Sequence, residues 1–140
     1  MFRLKDNFID FVDKVKKEYK IIFTYNERIA SIDVKNKVIY VHKDLSEDVK
    51  MFVITHELGH AYLEMLYEKG HMVHRQPPRD QAYETLCDLL SAIYVYHKGY
   101  LTPKQILKAF KVLYGEREHY FRYIMLYNAM ILTGRLKDGN

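Results

Sequence analysis

The sequence predicts an α+β domain: one amphipathic helix, a small sheet, then helices to near the C-terminus. Two textures of side-chain patterning carry that expectation. Apolar residues recur at three- and four-residue spacing over 5–19 and again from residue 47 onwards. Between them, residues 21–41 hold three short runs of β-branched and aromatic residues. The 140 residues suit a single domain, and with 49% hydrophobic and 29% charged residues they can fill one core.

In order, Phe8, Phe11, Val12, Val15 and Tyr19 share one face of the first helix, expected over about 5–19. Strands are expected at 21–25, 30–34 and 37–41, separated by Asn26 and by the turn Lys35-Asn36-Lys37. That spacing predicts a mostly antiparallel three-stranded sheet with a hairpin between the second and third strands. Asp44 or Ser46 offers an N-cap for a long helix, Glu47 and Asp48 suit the positive end of its dipole, and Gly70 supplies its stop. Residues 71–79, with Pro77-Pro78, read as a loop. Asp80 can cap the next helix, which runs to His97 and is closed by Gly99. Thr102, Pro103 and Gln105 are a helix start signal, with Thr as cap, Pro at the first position and Gln three residues after the cap. That helix ends near Gly115, and a last one covers about 116–132.

Composition narrows the function classes. The longest apolar run, 51–55, is broken at once by His56 and Glu57, so no bilayer span is expected. Residues 1–6 include Asp6 and no extended apolar stretch, unlike a secretory signal. The lone Cys87 cannot form an internal disulfide and suits a reducing compartment, so the expected location is the cytoplasm. A net charge of +4 is modest, and Asp10, Asp13 and Glu18 are interleaved with Lys14, Lys16, Lys17 and Lys20. Such interleaving is the pattern of a solvated helix face and argues against nucleic acid as a partner.

The chemistry is concentrated in His56-Glu57-Leu58-Gly59-His60. On a helix, histidines four residues apart lie on one face, where two neutral imidazoles can bind one metal ion. Zinc held by two imidazoles and one further ligand keeps a position for water and lowers its pKa toward neutrality. Glu57, beside that position, can take the water's proton and return it to a leaving amine. As plain polar residues, two histidines and a glutamate among Phe52, Val53, Ile54, Leu58 and Leu63 would be costly to bury unpaired. The next helix carries Glu84 and, one turn on, Asp88.

A His-Glu-x-x-His helix followed by a Glu-x-x-x-Asp helix resembles the gluzincin metallopeptidases. Over residues 5–98 the size and element order are similar to those of the minimal soluble gluzincins and of the ImmA/IrrE-type peptidases. The resemblance implies Zn2+ held by His56, His60 and Glu84, with Glu57 as general base. It implies that Asp88 hydrogen-bonds a ligating imidazole and fixes its tautomer. It further implies a peptide or protein substrate, cut by an endopeptidase that is active, latent or regulatory. The alternative is a non-catalytic regulatory or interaction protein that retains the zinc site.

Strand addition along an exposed sheet edge is common in such families, and the segment 37–42 is the candidate edge. A metzincin is excluded because Leu63 and Leu66 stand where its glycine and third histidine would be. The Gly-Ala-Met-Glu-Asn signature of gluzincin aminopeptidases is absent. His71 and His74 are substitute candidates for the third ligand. Cys87 reads as a small core residue in preference to a ligand. His119, Tyr120 and Tyr123 are candidate oxyanion donors, although helical spacing there also suits core packing, and the role is left unassigned. The last two helices have three open roles: completing the core, forming a homodimer surface, or covering the cleft.

Overall fold

The computed structural model describes the backbone of residues 4–70 and 81–115, and side chains from Asn7 to Gly70 and from Tyr83 to Gly115. The expected 71–79 loop with His71 and His74, the Asp80 cap and the last helix with His119, Tyr120 and Tyr123 lie outside the described residues. The architecture is α+β, as the patterning indicates. Helix α1 (Leu4–Val15) precedes strands β1 (Lys20–Thr24), β2 (Ala30–Asp33) and β3 (Val38–His42). Then come α2 (Glu47–Glu68), α3 (Gln81–His97) and a helix α4 over 103–115.

Helix α1 is shorter than its apolar periodicity suggests. Its ladder gives way after Val15 to turns through the exposed Lys16, Lys17 and Glu18, and Tyr19 packs against the core while leading into β1. The hairpin is where the sequence places it. Asp33 accepts from the backbone and side-chain nitrogens of Asn36, at 3.0 and 2.8 Å, and Lys37 takes the left-handed φ of 56° that closes the turn.

The sheet is mixed, in the order β1-β3-β2: β2 pairs antiparallel with β3, and β1 pairs parallel with it. The candidate edge segment 37–42 is therefore the central strand, and among the described residues β1 and β2 are the edge strands. Side-chain burial explains the inversion. Ile39 and Val41 of β3 are fully buried, whereas no residue of β2 and none of β1 is. The most apolar strand takes the position covered on both sides.

Helix α2 runs through the middle of the molecule, packed against α3, β2, β3 and α1. Phe52, Tyr62 and Leu63 on it meet Phe8 and Val12 of α1, Leu90 and Val95 of α3, and Ile106 and Phe110 of α4. Full burial of each such side chain contributes roughly 1.5–3 kcal/mol. Ser46, one of the two expected caps, accepts from the Val49 backbone N–H at 3.4 Å. Among the described residues, no helix is long and apolar enough to cross a membrane.

Candidate metal centre

Helix α2 presents His56 and His60 on one face, with ring centroids 5.0 Å apart. Helix α3 crosses them at close range because Gly59 has no side chain. A Cβ at Gly59 would lie 3.4 Å from both Cα and Cβ of Cys87. Residues 84 and 88 are four apart on α3, so that approach turns both carboxylates toward α2.

Glu84 then meets both histidines: Oε2 lies 2.8 Å from His56 Nε2, and Oε1 lies 3.1 Å from His60 Nε2. Asp88 takes the other side of His56, with Oδ1 2.7 Å from Nδ1. A carboxylate there holds the proton on Nδ1, so the proton that Nε2 shares with Glu84 is the one a metal ion would displace. Glu57 is 8% exposed, with Oε2 3.8 Å from His56 Nε2. Every candidate site residue outside the undescribed segments is thus drawn into one locus.

The electrostatics are those of groups forced together out of water. Burial alone would depress the His56 imidazole, but hydrogen bonds with Asp88 and Glu84 reverse it and raise the pKa to about 10. Burial would raise Glu84, yet its bonds to His56 and His60 bring it down to about 2. Burial pushes Glu57 up, opposed by the two imidazoles.

Does this donor set fit a metal? Zn–N and Zn–O bonds of about 2.0–2.1 Å in a tetrahedron set ligand atoms about 3.3 Å apart. The observed 2.8 and 3.1 Å approach that spacing. Three carboxylates facing two imidazoles also carry a surplus of negative charge that a divalent cation would balance, and the set fits one.

Cys87 also falls in this neighbourhood: ligand atoms of His56, His60 and Cys87 all lie within 4.8 Å of one another. The Glu84 oxygens stand closer to the imidazoles than that bound. The thiol, completely buried where the helices touch, is held protonated by burial.

The locus opens into a cleft of about 990 Å³, at the upper end of the roughly 300–1,000 Å³ usual for ligand pockets. Ala30, Ser31 and Ile32 of the β2 edge form one wall, and Tyr83, Leu113 and Tyr114 contribute on the α3–α4 side. Two of these escape sequence reasoning. The Tyr83 ring lies 5.1 Å from that of His60, and the Tyr114 hydroxyl donates to Asp88 Oδ1 at 3.0 Å. Tyr83 adjoins Glu84 in the chain, which is a local signal. Tyr114 has none, since its contact spans 26 positions.

Comparison with curated proteins and with solved structures finds no match to the chain. Residues 11–94 match the model of a peptidase family described as the IrrE N-terminal-like domain. That stretch takes in β1 to β3, all of α2 and most of α3, with every residue of the metal centre inside it. The chain accordingly belongs to the IrrE N-terminal-like peptidase family, Peptidase_M78.

Proposed function

We propose that the chain is a zinc-dependent endopeptidase in which His56, His60 and Glu84 hold the metal and Glu57 is the general base. The observation that supports this best is the single carboxylate, Glu84, meeting Nε2 of both motif histidines while Glu57 stands alongside. Bound Zn2+ supplies Lewis acidity toward a peptide carbonyl and toward water.

The chain's own residues do the rest. The β2 edge offers main-chain donors and acceptors along the cleft wall, and a substrate segment adding to it as a strand is drawn past His56 and His60. Main-chain pairing of this kind suits an internal segment, hence an endopeptidase. Glu57 accepts a proton from the attacking water and delivers it to the departing amine nitrogen. Its burial raises its affinity for that proton. Asp88 keeps His56 in the tautomer that leaves Nε2 free for the metal.

The test is Glu57→Gln, assayed with a fluorogenic peptide library and by metal analysis. The expected outcome is unchanged zinc content with hydrolysis reduced at least about 100-fold. Hydrolysis at the wild-type rate would remove Glu57 from the role.

One observation favours a second reading. Cys87 close to both histidines would close the coordination sphere with a fourth protein ligand, as in structural zinc sites, leaving a regulatory protein without catalysis.

A further inference from the structure

The geometry points to Tyr114 as a positioning residue of the metal centre, one that fixes the Asp88 carboxylate through the same oxygen that meets His56. This rests on the reading of His56 as a ligand. Tyr114 lies on α4, beyond the residues 11–94 that match the family.

Asp88 has no exposed surface, and its Oδ1 receives two donors: His56 Nδ1–H at 2.7 Å and the Tyr114 hydroxyl at 3.0 Å. A buried carboxylate oxygen shared by two donors is restricted in direction and in charge. The tyrosine fixes where the oxygen sits, and it withdraws part of the negative charge that would otherwise pull on the imidazole proton. Orientation and basicity of His56 Nε2 both follow from that bond.

The arrival of Tyr114 at this point is the outcome of three successive anchors along α4. At its start, Gln105 Nε2 donates to Asp48 Oδ2 at 3.1 Å, tying α4 to the first turn of α2. Further along, the Phe110 ring packs edge-on against Phe52 with centroids 5.2 Å apart. Then Tyr114, its ring 5.8 Å from Phe110, reaches Asp88 beside His56. The contacts advance together along both helices. At about 1.5 Å per residue, Gln105 to Tyr114 rises about 13–14 Å and Asp48 to His56 about 12 Å. Helix α4 is thus in register with the motif helix, and the hydroxyl at its far end meets the metal centre.

Tyr114→Phe keeps the ring and removes only the donor, which allows a direct test in the full chain. In the metal-free protein the His56 Nδ1–H proton resonance is expected to move downfield, because Asp88 Oδ1 loses its competing donor. Zn2+ affinity, measured by competition with a chromophoric chelator, is expected to weaken about 3–10-fold, less than the roughly 10–100-fold of a direct partner such as Asp88. In an Asp88→Ala background the same substitution should leave Zn2+ affinity unchanged, the coupling having nowhere to act. An unmoved resonance with unchanged affinity would overturn the proposal. So would an equal loss in the Asp88→Ala background, which would place the effect elsewhere. If the wild-type chain takes up no Zn2+, the metal reading fails by itself, and the resonance still decides whether Tyr114 acts on Asp88 and His56.

Discussion

A divalent cation ranks its ligands by distance and by charge, and the two donors of α3 that stand beside both motif histidines, Glu84 and Cys87, differ in charge. Glu84 offers an ionised carboxylate at 2.8 and 3.1 Å from the two imidazole nitrogens. Cys87 offers a buried thiol that burial keeps protonated, packed where α3 meets Gly59. Glu84→Ala is therefore expected to lower Zn2+ affinity by at least about 10-fold, and Cys87→Ala to leave stoichiometry and affinity unchanged, both read by chelator competition. Loss of affinity in Cys87→Ala as well would favour the closed-site reading. A second residue-scale prediction concerns Tyr62, which is 1% exposed, with its ring between Phe8 and Phe11. Among the described residues its hydroxyl has no hydrogen-bond partner. A buried hydroxyl without a partner carries its full desolvation penalty, so Tyr62→Phe should stabilise the fold by roughly 1 kcal/mol, seen as a raised midpoint in urea.

Elements show where local signals suffice. The start of α4 is a reciprocal box: the Thr102 backbone N–H donates to Gln105 Oε1 at 2.8 Å, and the Gln105 N–H donates to Thr102 Oγ1 at 3.3 Å. Thr102→Ala removes one half and is expected to cost about 1 kcal/mol in chemical unfolding, with little change in metal affinity as long as Gln105 still reaches Asp48. Signals of this kind, together with the His56–His60 and Glu84–Asp88 spacings, lie within a turn or two of chain, and they made α2, α3, α4 and the side chains of the candidate site legible. The strand order was not legible. Which of three short strands takes the centre depends on burial against α2, and hairpin chemistry fixes only the β2–β3 pair. The parallel β1–β3 ladder follows from β3 lying between strands that the chain visits earlier. The same dependence on distant contacts hid Tyr114 and put β2, not the 37–42 segment, at the sheet edge beside the cleft.

On the scale of the whole molecule, protons and metal compete for one buried locus, which sets how stability responds to pH. Without metal, His56 has a folded pKa near 10 against an ordinary value of 6.5. A group raised on folding stabilises fully below its unfolded pKa, and that contribution is lost as pH climbs through the folded value. Metal-free protein should therefore lose stability between about pH 6.5 and 10. Glu84 works in the opposite sense. Lowered from 4.5 to about 2, it contributes above 4.5, and the contribution fades as pH falls toward 2. Metal binding needs His56 Nε2 without its proton, so each ion bound below pH 10 releases one, and affinity rises with pH over the range in which the metal-free fold weakens. The two trends add. The gap in Tm between zinc-loaded and chelator-treated protein is expected to widen steadily from pH 6 to pH 8.5, the loaded form changing less than the stripped one. A gap that stays constant over that interval would mean that the ion displaces no proton from His56, and the ligand assignment on α2 would have to be redrawn.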